Sequence, residues 1–216
     1  MNKKQIIQKI NKYVKDRLSG EGSGHDWWHI DRVRKLALKI AQKEKADLFV
    51  VELSALLHDI YDYKFYKANN KNAIDNFLRK YKINEEIIQQ IAYIVNSISY
   101  KGGTNKIKLK SIEAKIVQDA DRLDAIGAIG IARTFTYGGK IAREMYNPNI
   151  KPKKYKNLNE YKKHLNTNPT VNHFYEKILL LKNTIHTKTG KQMANNRHKY
   201  VEQFLNRFFK EWEGKI

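Results

Sequence analysis

The chain of 216 residues contains no cysteine and only 3 prolines. Because cysteine is absent, disulfides, thiolate zinc sites and cysteine nucleophiles are excluded, and imidazoles and carboxylates must hold any metal. No apolar run reaches the length of a membrane span, and no apolar segment follows the basic start Met1-Asn2-Lys3-Lys4-Gln5. We therefore expect no membrane span, no secretory signal and a cytoplasmic location.

Acidic residues are also scarce. The chain has 22 of them and 42 basic residues, which gives a net charge of +20. Such a charge attracts phosphate, either in nucleic acid or in a small polyanionic substrate such as a nucleotide. The lysines are scattered beside many asparagines and isoleucines, which favours a genome-wide compositional bias over a binding face. The sequence also lacks the glycine-aromatic strand motifs and aligned basic stripe of an RNA or DNA module. Nucleic acid therefore stays a secondary alternative as a partner.

The scarcity of proline and of alternating apolar runs predicts an all-α protein, with one domain over residues 1–216. Asp26 is a predicted N-cap, and the apolar helix that ends near Asp59 is predicted to be central. Residues 60–72 and 99–105 are predicted loops, and 136–169 a mobile excursion. Apolar periodicity predicts helices near 6–14, 26–41, 46–59, 72–81, 84–98, 112–135, 170–187 and 189–212. In the 112–135 helix, Gly127 and Gly130 are expected to permit close helix packing.

The pair His58-Asp59 ends the apolar run of residues 50–57. Two ionisable groups are costly to bury there unless a partner charge is present, and a metal cation suits both imidazole and carboxylate. Upstream, His29 shares a helix face with Val33, at i+4, and with further apolar residues, so it points toward the core. A lone histidine on an apolar face is more often a satisfied core residue. The matching groups on other predicted helices favour a ligand.

The segment Asp119-Ala120-Asp121 offers two carboxylates, and residues two apart point in nearly opposite directions on a helix. Asp119 shares its stripe with Lys115 and Arg122, which predicts a surface ion pair. Asp121 shares its stripe with apolar residues and is predicted to face inward. We predict Asp121 as the fourth metal ligand, with Asp119 as a support. Asp124, one turn further on, is predicted to reach a bound water or the substrate.

The residues His29, His58-Asp59 and Asp121 resemble the H…HD…D signature of the HD-domain metal-dependent phosphohydrolases. The signature covers about residues 23–135. The segments 24–33 and 172–177 resemble a bacterial subgroup of small HD proteins, some of which are nucleotide pyrophosphohydrolases, and this likeness continues through a helical extension at 136–216. The resemblance implies a helical bundle with His29, His58, Asp59 and Asp121 holding a metal at its centre.

The resemblance also implies that a metal-activated water hydrolyses a phosphoester or phosphoanhydride bond. We expect one divalent ion, Mn²⁺ first, with Co²⁺, Ni²⁺, Fe²⁺, Zn²⁺ or Mg²⁺ as alternatives. The expected reaction converts a (d)NTP to the (d)NMP and pyrophosphate. A nucleoside monophosphatase, a phosphodiesterase or a non-catalytic nucleotide- or nucleic-acid-binding regulator stay as alternatives. The expected partner is a small phosphorylated substrate, a nucleotide first, and a homodimer is left open.

Asp59 and Asp62 are the predicted catalytic residues, with Asp62 as general acid/base. The related enzymes carry glutamate at the position of Asp62, and a solvated loop aspartate is the alternative. For every basic residue the alternative is an ordinary solvated surface position. The predicted substrate contacts are His25, Arg32, Lys64, Arg122, Asp124, Arg133, Lys177 and Arg197. Aromatic residues that either stack on a nucleobase or simply pack are Trp27, Trp28, Tyr61, Tyr63 and Tyr66.

Overall fold

A computed structural model describes residues 1–20, 26–60, 73–98, 108–155, 159–160 and 167–216. Within these ranges the regular structure is helical and no strand occurs, which confirms the all-α prediction. The helices are α1 (Lys3–Leu18), α2 (Trp27–Glu44), α3 (Leu48–Leu57), α4 (Ala73–Arg79), α5 (Glu85–Ser97), α6 (Ile112–Asp124), α7 (Gly127–Lys140), α8 (Asn172–Glu176), a 3-10 helix (Ile178–Thr184) and α9 (Lys188–Trp212). None of the described helices is long and apolar enough to cross a membrane.

Short polar side chains define where several helices begin. Asp26 accepts a hydrogen bond from the backbone N–H of His29, which confirms the predicted N-cap of α2. Asp47 caps α3 in the same way, and Thr187 caps α9. Each cap satisfies backbone donors that the first helical turn leaves without an intrahelical acceptor. The cap of α2 therefore fixes the turn that carries His29.

Helix α3 lies at the centre of the larger apolar core and contacts α1, α2, α5 and α6. Apart from Leu48 and Glu52 its residues are buried, because its sequence is apolar on almost every side. A helix of this kind has to be surrounded by other elements. The predicted central position is confirmed, and the end of α3 therefore delivers His58 and Asp59 into the interior.

A second apolar core joins α7, α8, the 3-10 helix and α9. It is richer in aromatic residues than the first, with Phe135, Phe174 and Phe204 at centroid distances of 5.8–6.1 Å. Helix α6 packs against α2 and α3 on one side and α9 on the other. It therefore connects the two cores.

The prediction of one helix over 112–135 is wrong. Helix α6 ends at Asp124 and α7 begins at Gly127, whose φ of +83° is strained for any residue with a side chain. A Cβ at Gly130 would lie 2.2 Å from the carbonyl oxygen of Ala125, so the turn also needs glycine there. The apolar pattern runs unbroken through the turn and gives no sign of it.

Two further boundaries differ from the prediction. The predicted helix over 170–187 consists of the short α8 and a 3-10 helix. Residues 136–140 belong to α7 and not to an excursion, while the described residues 141–155 do form an irregular segment. The N–H groups of Thr170 and Val171 donate to the carbonyls of Glu144 and Met145, at 2.8 and 3.0 Å. These bonds hold the segment against α8.

Candidate metal centre

The four predicted ligands lie together although they come from three parts of the chain. His29 stands in the first turn of α2, His58 and Asp59 directly follow α3, and Asp121 lies in the last turn of α6. The Nε2 atom of His29 is 3.2 Å from Nε2 of His58, 3.4 Å from Oδ2 of Asp59 and 3.5 Å from Oδ1 of Asp121. The Nε2 atom of His58 is 3.5 Å from Oδ2 of Asp59 and 3.9 Å from Oδ1 of Asp121.

This donor set fits a divalent cation. An ion bound at about 2.0–2.2 Å from each nitrogen or oxygen holds neighbouring donors roughly 3–3.6 Å apart, and most of the distances above lie in that range. The donor atoms of His29, His58 and Asp121 all lie within 4.8 Å of one another. Two imidazoles with carboxylates suit Mn²⁺, Fe²⁺, Co²⁺, Ni²⁺ and Zn²⁺. The arrangement can therefore hold one such ion.

The ligand set is open to solvent on one side. The side chains of His29 and His58 are 0% and 2% exposed, those of Asp59 and Asp121 12% and 28%. The imidazoles therefore form the floor of the site and the carboxylates its rim. Asp121 is the most exposed of the four side chains.

Each imidazole is anchored at the ring nitrogen that points away from the other ligands. The Nδ1 atom of His58 lies 2.8 Å from the carbonyl oxygen of Ala55, one turn back in α3. The Nδ1 atom of His29 lies 2.8 Å from Oδ2 of Asp124. Both Nε2 atoms consequently face the centre of the ligand set.

Asp124 is 1% exposed and is enclosed by donors. Arg32 donates from Nε to Oδ1 at 2.7 Å and from Nη2 to Oδ2 at 3.0 Å. Arg133 donates from Nη1 to Oδ2 at 2.7 Å. These contacts place Asp124 behind His29, on the side of the ring opposite the ligand atoms. The predicted contact of Asp124 with substrate or bound water is therefore corrected, because its oxygens accept from these side chains instead.

Burial and charge act against each other on both members of this pair. Burial alone lowers the pKa of His29, but hydrogen bonds with Asp124 and Asp59 outweigh it and raise the pKa to about 9. Burial raises the pKa of Asp124, yet its bonds with His29 and Arg32 hold the pKa well below the usual range. Asp124 is therefore a carboxylate at neutral pH.

Asp119 does not form the predicted surface ion pair. It is 0% exposed, and it accepts from the N–H groups of His186 and Thr187, both at 2.8 Å, and from the hydroxyl of Thr187 at 2.7 Å. Asp121, predicted to be the inward carboxylate, is the more exposed of the two. The helix-face argument was therefore wrong about burial, although Asp121 is the one that lies beside the histidines.

The other predicted basic contacts have varied surroundings. Arg122 and Arg197 donate to the backbone carbonyls of Thr184 and Leu123, so both tie α6 to the C-terminal part, and these contacts give no support to a substrate role. Lys177 is half-buried just after α8.

Trp27 is 7% exposed and packs in the core, whereas Trp28, next to His29, is 61% exposed. His25, Asp62, Lys64, Tyr61, Tyr63 and Tyr66 lie outside the described residues.

Comparison with known proteins agrees with this geometry. A family model described as the HD domain matches residues 27–126, which include all four predicted ligands. A Bacillus subtilis protein, YpgQ, described as uncharacterized, is 35% identical over 99% of this chain and 97% of its own. The chain belongs to the HD-domain phosphohydrolase superfamily.

Solved structures extend the likeness to the whole fold of this HD-domain protein. A crystal structure of an HD-superfamily hydrolase from Bacillus thuringiensis is 40% identical, with a TM-score of 0.79, and the match covers 98% of this chain and 99% of that one. The structure of Bacillus subtilis YpgQ in complex with ADP is 33% identical, with a TM-score of 0.78 and coverage of 98% and 97%. The similarity thus includes the helices beyond the HD-domain match.

Proposed function

We propose that this protein is a metal-dependent nucleotide pyrophosphohydrolase that cleaves a (d)NTP into the (d)NMP and pyrophosphate. His29, His58, Asp59 and Asp121 would hold one divalent cation, Mn²⁺ first. The observation that carries the proposal is the convergence of their donor atoms, with Nε2 of His29 within 3.5 Å of one atom of each of the other three. When bound, such a cation lowers the pKa of a water and neutralises charge on a phosphoryl group.

The fixed charges around the site favour an anionic substrate. Asp59, Asp121 and Asp124 contribute three negative charges, and the guanidiniums of Arg32 and Arg133 contribute two positive charges. Imidazoles must be neutral to bind a metal through nitrogen, so in the metal-bound state the protein groups carry one net negative charge, which a divalent cation turns into one net positive charge. A phosphate ester therefore meets a complementary field at the open side of the site.

The proposal of a nucleotide rests on two supports. YpgQ, a relative over almost the full chain, has been crystallised with ADP. Trp28 directly precedes His29 in the sequence and is 61% exposed. It therefore offers an aromatic face for a base next to a predicted ligand. From the sequence alone we retain Asp62 as the proposed general acid/base and His25 and Lys64 as proposed substrate contacts.

Product analysis tests the proposal. The protein loaded with Mn²⁺, Co²⁺ or Mg²⁺ is incubated with a panel of nucleoside and deoxynucleoside triphosphates, and monophosphate and pyrophosphate are quantified. We expect equal amounts of the two products. Orthophosphate released from monophosphates would assign the site to a monophosphatase, and cleavage of diesters to a phosphodiesterase. Absence of every product with all three ions would favour the non-catalytic regulator.

A matched pair of aspartates tests the site itself. Asp59 and Asp31 have similar side-chain exposure, 12% and 13%, but Asp31 pairs with Lys35 and Arg34 of its own helix, at 2.6 and 3.7 Å. We expect Asp59→Ala to abolish both cation binding and pyrophosphate release, whereas Asp31→Ala keeps both. Near-normal turnover by Asp59→Ala would overturn the assignment of the ligands.

A further inference from the structure

The Nδ1 atoms of His29 and His58, which face away from the ligand set, have different hydrogen-bond partners. His58 uses the carbonyl of Ala55 within its own helix, at 2.8 Å. His29 uses Asp124, which stands 95 residues away at the end of α6. Asp124 is held in turn by Arg32 from α2 and Arg133 from α7. Three helices therefore meet at one carboxylate behind one imidazole.

We propose that Asp124, which is hydrogen-bonded by Arg32 and Arg133, is a positioning residue. It fixes the orientation and the tautomer of His29 for cation binding. The inference rests on the proposed metal site and assigns Asp124 a role in building it. A neutral imidazole carries its proton on one nitrogen and a lone pair on the other. A carboxylate at Nδ1 accepts a hydrogen bond, so the proton belongs at Nδ1 and the lone pair at Nε2. That lone pair points toward His58, Asp59 and Asp121.

The two arginines make Asp124 a rigid acceptor. Arg32 bonds both carboxylate oxygens through Nε and Nη2, and such a bidentate contact sets the plane of the carboxylate. Arg133 adds a bond to Oδ2, the oxygen that also faces His29. The side chains around Asp124 all offer hydrogen-bond donors to it, so this position requires an acceptor at both oxygens. An amide at this position would turn its NH₂ either toward a guanidinium or toward the ring, and each orientation leaves a donor facing a donor.

The arrangement also couples cation binding to the turn between α6 and α7. Asp124 is the last residue of α6, and Arg133 lies on α7 beyond the turn that Gly127 and Gly130 permit. A carboxylate behind a metal-binding histidine commonly changes metal affinity by about 10–100-fold. We therefore expect a measurable dependence of cation affinity on a residue that does not itself touch the cation.

The test compares two isosteric changes in α6, Asp124→Asn and Asp119→Asn. The dissociation constant for Mn²⁺ alone is measured by titration calorimetry on each folded variant. We expect Asp124→Asn to bind about 10–100-fold more weakly. Asp119→Asn changes an equally buried carboxylate that has no partner in common with His29 in the described contacts, so we expect wild-type affinity. Equal affinities of wild type and Asp124→Asn would overturn the inference.

A measurement on the wild type keeps the inference testable if Asp124→Asn does not fold. Nitrogen-15 NMR of histidine-labelled protein loaded with Zn²⁺ is expected to show the proton of His29 on Nδ1 and the zinc on Nε2. The reverse assignment would overturn the inference. Wild-type protein that binds Mn²⁺ but releases no pyrophosphate would contradict the proposed function alone, because neither of these two readouts uses turnover.

Discussion

Helix α6 carries two buried aspartates whose surroundings make an instructive comparison. Asp119 and Asp124 are 0% and 1% exposed. Asp124 is bound by two guanidiniums and an imidazole, whereas Asp119 is bound by the backbone N–H groups of His186 and Thr187 and by a hydroxyl. Burial raises the pKa of Asp119 above its usual value, while cationic partners hold the pKa of Asp124 below it. Equal burial therefore has opposite consequences because the donors differ in charge.

The two regions also serve different purposes. Around Asp124 the polar network orients a predicted metal ligand. Around Asp119 it joins α6 to the start of α9, where Thr187 is also the N-cap. We therefore expect substitutions in the first region to change the site and substitutions in the second to change the free energy of unfolding. The following predictions test that separation, beginning with the largest effect.

Substitution of Asp121, the half-buried predicted ligand on the same helix, should abolish function without unfolding the protein. For Asp121→Ala we expect Mn²⁺ binding and pyrophosphate release to fall by more than about 100-fold, because a ligand and its charge are lost. The melting temperature of the metal-free protein should stay close to that of the wild type. Calorimetric titration and product analysis measure the first effect and thermal denaturation the second. Metal-free protein prepared with a chelator should be as inactive as the variant.

Substitution of Asp119 should do the opposite. Asp119→Ala leaves the N–H groups of His186 and Thr187 and the hydroxyl of Thr187 without their acceptor, so we expect it to lose about 3 kcal/mol of unfolding free energy. For a chain of this length that corresponds to a fall in melting temperature of roughly 6–12 °C. Mn²⁺ affinity of the folded variant should match the wild type. A fall in affinity with no loss of stability would show that the two regions are not separate.

A smaller loss is expected at the partner of Asp119. The hydroxyl of Thr187 donates to Asp119 and accepts from the N–H of Gly190. Thr187→Val keeps the shape and removes both bonds, so we expect a loss of about 1–2 kcal/mol by urea denaturation. Thr187→Ser retains the hydroxyl and should lose less than half of that amount. Equal losses in the two variants would show that packing of the methyl group, and not the cap, stabilises this junction.

The smallest effect is a difference in pH dependence. The raised pKa of Asp119 means that its contribution to stability is fully present below the unfolded-state pKa, near 3.8, and is lost as pH rises through the folded-state pKa. The lowered pKa of Asp124 places its contribution above pH 3.8, and it is lost only as pH falls further. Between pH 4 and 7 the stability deficit of metal-free Asp119→Asn, measured by urea denaturation, should therefore shrink as pH rises. A deficit that stays constant or grows over this range would contradict the raised pKa of Asp119.

Several features of the site were predictable from local sequence. The apolar stripe shared by His29 and Val33 predicted an inward histidine, and both residues are 0% exposed. The apolar run before His58 predicted a buried pair at the end of a central helix, and α3 is that helix. Asp26 as N-cap is a local signal as well. These features depend on residues within one or two turns, where periodicity and capping carry the information.

Features that depend on distant partners were not predictable in this way. Asp124 and Arg32 were expected to contact substrate, but they bind each other across 92 residues. Asp119 was assigned to the surface because its own helix face is polar, yet the backbone of residues 186–187 covers it. Thr187 could have been predicted as an N-cap from local sequence, since it directly precedes α9. The turn at Gly127 could not be predicted from apolar periodicity, because apolar residues continue on both sides of it.

The sequence by itself determined the helical class, the central helix and the residue types that can hold a cation, because apolar periodicity and the chemistry of histidine and aspartate are local properties. The tertiary structure decided which aspartate of α6 lies beside the histidines, which one stands behind His29 and which one accepts hydrogen bonds from residues 186–187 at the start of α9. A carboxylate has no preferred role until its donors are in place. For Asp119 and Asp124 those donors come from distant parts of the chain, and only packing brings them there.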